Sequence, residues 1–170
     1  FSDASFVNGP VIKTGNDAFT FPVGKINKTA AISISAPTFV TDEFRAEYFW
    51  AIPHNNGYDS TLKDPTINHV SDNEYWTLDR ISGASNVSVT LNWEASRSGV
   101  VDHMPDLRVA RWNGSLWKDE GNGGTTGNNA AGSIVTVGAV NNFSPFTLAS
   151  ASALNPIPVK LVSFSAAKNN

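Results

Sequence analysis

One stretch, residues 70–93, constrains the fold of this chain more than any other. Between residues 87 and 93, Val, Leu and Trp side chains alternate with Ser, Thr and Asn, which is the two-residue period of a strand buried on one face. An aromatic segment at residues 75–81 precedes it, and small polar residues and glycine separate the two segments. The pattern predicts a β-hairpin at the centre of an all-β domain, with Trp76 and Trp93 in the core.

Two other segments carry strong strand signals. Within residues 43–50 apolar side chains occupy alternate positions, at Phe44, Ala46, Tyr48 and Trp50, and although some residues also fit a helical face, the aromatic content favours a strand. Residues 106–117 predict a hairpin around Asn113-Gly114, the pair preferred in type I′ turns. Residues 143–148 predict an edge or final strand, because Pro145 cannot donate to a ladder.

Two long polar stretches predict loops. Residues 54–69 are rich in Asn, Asp and Pro, and a loop of this length often has a function of its own. Residues 120–132 are rich in Gly, Asn and Thr, which favours an exposed loop or a flap.

These segments together predict an antiparallel β-sandwich, immunoglobulin-like or jelly-roll-like, over residues 1–154. The sequence Asn-Pro-Ile-Pro begins at Asn155 and is typical of a linker. Residues 155–170 are therefore predicted to be a linker and the truncated first strand of a following module. Because the chain begins with Phe1 and not with Met, we interpret it as a piece of a longer polypeptide.

Composition argues against several classes of function. The chain contains no cysteine, so it has neither disulfides nor thiolate chemistry. Its net charge is -3 and its basic residues are scattered, which argues against a nucleic-acid partner. No apolar run approaches the ~20 residues of a membrane helix, so membrane insertion is not expected.

Catalytic motifs are not apparent in the sequence. It lacks a Gly-x-Ser-x-Gly turn, a zincin motif, a P-loop and a dinucleotide fingerprint. Adjacent acids that could act as a carboxylate pair are more often turn formers, and the histidines lie in polar contexts typical of surface residues. The residues concerned are Asp102 with Asp106, Asp119 with Glu120, and His54, His69 and His103. We therefore predict that the chain is not an enzyme. A hydrolase ranks third among the functions considered, behind a structural module and a carbohydrate-binding module.

A structural calcium ion is one alternative for the acidic part of the chain. Calcium prefers carboxylate, amide and carbonyl oxygens on loops, and Asp59, Asp64, Asp72, Asn73 and Glu74 cluster between two predicted strands. No EF-hand spacing is present. Turn formation by the same side chains is the competing interpretation.

Exposed aromatic rings suggest carbohydrate binding as a further alternative. A flat Trp or Tyr ring can stack on a sugar, and Trp112, Trp117, Trp50 and Tyr58 are the candidates. Each of these rings could instead serve in core or cross-strand packing, and Trp112 and Trp117 stand on opposite arms of one predicted hairpin.

Six segments carry a resemblance to a known family. They are NGPV at residues 8–11, FTFPVGK at 19–25, EYW at 74–76, DLRVARWNG at 106–114, FSPFTLAS at 143–150 and NPIPVKLVSFSA at 155–166. Together they resemble the C-terminal β-sandwich region of large secreted or surface-attached Bacteroidetes proteins of the type IX secretion kind. The resemblance covers nearly the whole chain but concerns scaffold motifs, and it implies no catalytic residues.

From these observations we expect a non-catalytic accessory or structural module of a secreted or cell-surface protein, with a role in adhesion. A carbohydrate-binding module is the alternative. The expected partners are neighbouring domains of the same polypeptide, with glycans as the alternative ligands.

Overall fold

Fourteen β-strands and very little helix make up residues 2–155, the part of the chain that the computed structural model describes. The helical pieces are α1 (Ala95–Ser98) and two 3-10 turns, Pro53–Asn56 and Met104–Asp106. The strands are β1 (Val11–Thr14), β2 (Phe19–Phe21), β3 (Gly24–Lys25), β4 (Lys28–Thr29), β5 (Ile32–Ile34), β6 (Glu43–Phe49), β7 (His69–Val70), β8 (Tyr75–Ser82), β9 (Val89–Glu94), β10 (Leu107–Trp112), β11 (Trp117–Asp119), β12 (Thr125–Gly127), β13 (Ala131–Val135) and β14 (Phe146–Ser150).

Two antiparallel sheets contain most of these strands. The large sheet has the order β1-β6-β8-β14-β10-β11, with β7 also paired to β14. The small sheet has the order β12-β13-β9-β5-β2, and β3 and β4 form a separate short hairpin. The predicted all-β antiparallel sandwich is confirmed. None of the helices within residues 2–155 has the length and hydropathy of a membrane-spanning segment.

The main core lies between the two sheets. Alternate side chains of β6 and β8, such as Tyr48 and Trp76, meet alternate side chains of β9, such as Leu91 and Trp93. Trp76 and Trp93 are buried as predicted, and each indole N–H has a backbone acceptor. The acceptors are the Ala30 carbonyl at 2.6 Å and the Asn128 carbonyl at 3.0 Å.

The predicted hairpin within residues 70–93 is wrong, although both of its strands exist. β8 pairs with β6 and β14 in the large sheet, whereas β9 pairs with β5 and β13 in the small sheet. The polar connection after β8 therefore carries the chain from one sheet to the other. Alternation shows which face of a strand is buried, but it does not show which strand is the partner.

The second predicted hairpin is confirmed, but its turn is different. β10 and β11 pair with Trp112 opposite Trp117. Gly114 has a φ of 97°, whereas Asn113 is not among the residues with positive φ, so the turn is not type I′. The Asn113 side-chain oxygen instead accepts the backbone N–H groups of Ser115 and Leu116, both at 2.9 Å. The strand predicted at residues 43–50 is also confirmed, as β6.

Of the two alternatives predicted for residues 143–148, the final strand fits the described residues and the edge strand does not, and the loop predicted at residues 120–132 is corrected. β14 is the last strand of the described residues but not an edge strand, because it lies between β8 and β10. Pro145 precedes the strand and so does not interrupt its ladder. The predicted loop at residues 120–132 contains β12 and the start of β13, which pair in the small sheet.

A second hydrophobic cluster lies on the face of the large sheet that points away from the main core. Val109 and Leu148 enter the main core, whereas their chain neighbours Ala110 and Ala149 belong to the second cluster, because successive strand side chains point to opposite faces. We call it the outer cluster. Its residues are Ile67, Val70, Ala110, Trp117 and Ala149, with Tyr58 and Trp112 packed against them.

The predicted loop at residues 54–69 covers the outer cluster. It contributes Tyr58 and Ile67, and it extends the large sheet along the edge strand β11. The Leu62 carbonyl accepts the Trp117 N–H at 2.9 Å, and the Asp64 N–H donates to the Trp117 carbonyl at 2.9 Å. This loop is therefore part of the scaffold.

Asn155, predicted as the first residue of the linker, is packed against the sandwich. It is fully buried, its side chain donates to the His103 carbonyl at 2.9 Å, and its side-chain oxygen accepts the His103 N–H at 2.6 Å. Because residue 155 is the last described residue, the boundary predicted after residue 154 stays a prediction. The linker and strand predicted at residues 156–170 lie outside the described residues.

Candidate functional site

A groove of about 700 Å³ lies beside the β10–β11 turn. It is lined by residues of β10, β11 and their connecting turn, and by the segment at residues 142–145 that leads into β14. Tyr58 also lines it, so that the loop covering the outer cluster reaches the groove. A groove of this size is within the usual ~300–1,000 Å³ of small-ligand sites.

Two aromatic rings at the groove are held by a third that is buried. Trp112 and Tyr58 are partly exposed and line the groove. The Trp112 ring lies edge-on to Trp117, with centroids 5.6 Å apart, and to Tyr58, with centroids 6.2 Å apart. Such contacts fix the Trp112 ring without ligand, which lowers the entropy cost of stacking on it.

The structure separates the four aromatic residues that we considered as sugar platforms. Trp112 and Tyr58 lie together at the groove, as described. Trp117 is fully buried in the outer cluster, so its ring has no free face, and the expectation for it is corrected. Trp50 is partly buried against the main core and does not line the groove.

Charged side chains on β10 and β11 add a polar part to the groove. Arg111 lines it, although only 7% of this residue is exposed, and its Nε donates to Glu120 Oε1 at 2.7 Å. Lys118 also lines it and pairs with Asp64 at 2.9 Å. That hydrogen bond raises the pKa of Lys118. Burial opposes ionisation of Asp64, but hydrogen bonds from Lys118 and the Asp119 amide lower its pKa overall.

A buried charge network lies beside Tyr48 and Trp76 of the main core, and its residues do not line the groove. The Arg97 guanidinium donates to Glu74 Oε2, which also accepts the Tyr48 hydroxyl at 2.7 Å. Burial opposes the charge of Arg97, but Glu74 and Tyr48 raise its pKa overall. Burial and the Glu74 carboxylate both raise the pKa of Tyr48. The Arg97 guanidinium also lies 5.6 Å from the ring centre of Trp76, so the network is part of the scaffold.

The five residues predicted to bind calcium do not form one site. Asp59 accepts the backbone N–H of Thr61 at 2.8 Å, Asp64 pairs with Lys118, and Glu74 is buried against Arg97. Asn73 donates to the Arg97 carbonyl at 3.1 Å, and Asp72 is partly buried beside it in the chain. Within residues 2–155 no group of three His, Asp or Glu side chains could hold a metal ion. The five side chains therefore do not converge, and calcium binding stays a prediction without support from their positions.

The three histidines and the acids Asp106, Asp119 and Glu120 have separate local partners. His54 contacts Asp59 at 3.2 Å and His103 contacts Asp106 at 3.0 Å, both at the surface, whereas the His69 ring bonds the Asn155 carbonyl oxygen at 2.8 Å. The Ser152 hydroxyl, followed by His103, lowers the pKa of Asp106. Asp119 accepts the Thr66 hydroxyl at 2.7 Å, and Glu120 accepts Arg111. These acids are thus engaged in turns and ion pairs.

Sequence reasoning missed Arg111 and the segment at residues 142–145. Arg111 occupies a core-facing position in the alternation of β10, and a charged residue at such a position is a usable signal that the core ends there. No family model, curated protein or solved structure matches the chain. The family resemblance and the function therefore stay predictions.

Proposed function

We propose that the chain is a non-catalytic accessory module of a secreted or cell-surface protein of the Bacteroidetes type IX secretion kind, with a role in adhesion. One observation carries the proposal: both faces of the large sheet are packed. Most of the aromatic side chains, and a buried ion pair, are used to stabilise the sandwich. A domain whose aromatic and charged side chains mainly stabilise its own fold is suited to holding neighbouring domains in position.

The packing also suits a module that folds without its neighbours. The main core and the outer cluster are both built from residues of this chain, and the loop over the outer cluster is hydrogen-bonded to β11. Neighbouring domains of the same polypeptide remain the expected partners.

Two experiments test this proposal. The purified chain should unfold cooperatively and hydrolyse none of a panel of chromogenic esters, phosphates and glycosides. Antibodies against it should label intact cells or the culture medium of the source organism. Turnover that a single substitution removes would contradict the non-catalytic role, and labelling only after lysis would contradict the location.

The groove supports carbohydrate binding as a second candidate function. The observation that favours it is the pair of partly exposed rings, Trp112 and Tyr58, held in place beside polar side chains. Sugar rings stack on such aromatic faces, while amide groups can bind hydroxyls. Asn113 and Asn142, which both line the groove, supply such amide groups.

A glycan array tests the second candidate with the whole chain. Binding should disappear in Trp112→Ala and persist in Phe39→Ala, which removes an exposed ring outside the groove. Silence of the wild-type chain across the array, or equal loss in both variants, would contradict it. Trp117→Ala is unsuitable here because its ring is buried.

A further inference from the structure

The charges around the β10–β11 hairpin are divided between two cavities. Among the described residues that line the groove, the charged ones are Arg111 and Lys118, and both are basic. A second cavity of about 510 Å³ has Asp64, Asp119 and Glu120 as its charged lining residues, and we call it the acidic pocket. A ligand in the groove therefore meets two cations, whereas the acids that pair with these cations line the acidic pocket.

Arg111 and Lys118 point to the same face of the large sheet. They stand directly opposite each other in β10 and β11, and opposed residues of an antiparallel pair project their side chains on one face. It is the face of Val109, which precedes Arg111 by two residues and enters the main core. Trp112 and Trp117, the next opposed pair, point to the outer cluster. One ligand on the face of Val109 can therefore contact both cations without contacting the Trp112 ring.

The guanidinium of Arg111 has two unused donor atoms. More than nine-tenths of the residue is buried, and its Nε donates to Glu120 Oε1 at 2.7 Å. Neither Nη atom has a hydrogen-bond partner within residues 2–155, and neither is among the sealed polar atoms, so both keep contact with solvent. Because burying a guanidinium is costly, an incompletely bonded one is unusual. Of the two cavities, Arg111 lines the groove, so its unused donors are available there.

Lys118 supplies a second and more exposed cation. Its ammonium pairs with Asp64 Oδ2 at 2.9 Å, which uses one of its three N–H donors. The hydrogen bond with Asp64 raises the pKa of Lys118, whereas the positive charge of Arg111 acts in the opposite direction. The two cations therefore repel each other across the hairpin, and an anion bound between them relieves that repulsion.

The donor arrangement distinguishes one class of anion from another. A carboxylate has two oxygens, and the parallel hydrogen bonds of a guanidinium occupy both of them. A sulfate or phosphate group is tetrahedral, so two of its oxygens can bind the Nη atoms of Arg111 while a third accepts a hydrogen bond from Lys118.

Two cations on adjacent strands therefore favour a tetrahedral oxyanion over a carboxylate. We propose that the groove binds the sulfate or phosphate group of an esterified ligand, with two oxygens on the Nη atoms of Arg111 and a third on the ammonium of Lys118. This binding site goes beyond the proposed accessory role, and it does not require a sugar ring to stack on Trp112.

Calorimetric titration of the whole chain with four related sugars tests the proposal. The probes are galactose 6-phosphate, galactose 6-sulfate, galacturonate and galactose, which differ at a single carbon. At least one ester should bind, and galacturonate should bind at least about fivefold more weakly than that ester because it leaves Lys118 without a contact. Galactose, which lacks the charge, should bind at least about tenfold more weakly. The tighter ester identifies which oxyanion the groove recognises.

Two variants show which side chains make the contact. Arg111→Lys keeps a charge beside Glu120 but loses the two-donor geometry, so it should weaken ester binding at least about tenfold. Lys118→Gln, at a partly exposed position, should weaken it about threefold or more. Lys25→Gln is the matched control and should not change it, since Lys25 pairs with Glu47 at 2.9 Å outside the groove. Arginine side-chain NMR of the wild-type chain should show shifts at Arg111, which keeps the test valid if Arg111→Lys does not fold.

The outcomes keep this proposal separate from the second candidate function. Binding of neither ester, equal binding of galacturonate, or unchanged affinity in Arg111→Lys or Lys118→Gln overturns the oxyanion site. Galactose that binds as tightly as its esters also overturns it, but supports the carbohydrate-binding candidate. An ester that binds without shifting the Arg111 resonances binds elsewhere, and that result overturns the proposal as well.

Discussion

Trp112 and Trp117 face each other across β10 and β11 but lie in different environments. Trp117 is fully buried in the outer cluster, whereas Trp112 is partly exposed at the groove. Trp117→Ala should lower the free energy of unfolding by roughly 3–5 kcal/mol, the range for deleting a buried aromatic side chain. Trp112→Ala should cost less than half as much. Urea denaturation of both variants measures this, and equal losses would contradict the assigned burial.

The ion pair of Glu74 and Arg97 is the most buried charge interaction of the described residues, with both side chains almost inaccessible. Glu74→Gln leaves the Arg97 charge without its counter-ion and should cost about 3–5 kcal/mol of stability. The double variant with Arg97→Met should lose clearly less than the sum of the two single variants. A double-mutant cycle measures the coupling, and additive losses would show that the pair does not act as a unit.

Asp64 should make the stability of the fold depend on pH. Its pKa in the folded protein is below the unfolded value of 3.8, so the ionised form stabilises the fold. This contribution is complete above the unfolded pKa and is lost as pH falls through the folded pKa. Asp64→Asn should therefore be less stable than the wild type at about pH 7 and 5, with the difference shrinking at about pH 3.

Denaturation at these pH values provides the measurement, and Asp17→Asn, which changes an exposed acid, provides the control. A difference between wild type and Asp64→Asn that stays constant down to pH 3 would contradict the proposed role of the carboxylate.

At the residue scale, alternation identified the buried Trp76 and Trp93 because their own strands carry the pattern. Trp117 could not be assigned in this way, because its cover comes from the distant loop at residues 54–69. Glu74 was interpreted as a calcium ligand because the same carboxylate chemistry serves a metal or an arginine. Only the fold shows that Arg97 is its partner.

Among the elements, the hairpin of β12 and β13 has no room for a side chain at Gly132. Gly132 stands opposite Trp93 of β9, and a methyl group there would overlap both the Trp93 ring and the Thr126 carbonyl oxygen. Gly132→Ala should therefore destabilise the protein by about 1–3 kcal/mol through overpacking. Gly138→Ala is the matched control, because a methyl group at Gly138 meets nothing within 4 Å. Equal effects in a thermal melt would contradict this role of Gly132.

The sequence predicts which segments form strands better than it predicts which strands pair with each other. Both β8 and β9 were predicted as strands, but their alternation is satisfied equally by a hairpin and by two strands that face each other across the core. β14 was predicted as an edge or final strand because of Pro145, yet the proline lies one residue before the ladder. Partner choice depends on the complete set of apolar faces, which a local pattern does not contain.

For the whole molecule, the sequence predicted a sandwich with one core, whereas the described residues have a second cluster outside it. The groove lies where the outer cluster meets the end of β10, so it is formed by segments that are far apart in the chain. Trp112 and Tyr58 were predicted as candidate binding residues from their type alone. Their proximity, and the presence of Arg111 beside them, follow only from the fold.

The main core and the outer cluster should unfold together, because β10 and β14 contribute alternate side chains to both. Loss of either strand removes packing on both faces of the large sheet, which is the basis of a two-state transition. In the chain labelled with 5-fluorotryptophan, Trp93 reports on the main core and Trp117 on the outer cluster. Fluorine NMR across a urea titration should show the same midpoint for both resonances. A lower midpoint for Trp117 would mean that the loop at residues 54–69 and the outer cluster open as a separate unit. Because Tyr58 of that loop lines the groove, the groove would then open with them before the sandwich unfolds.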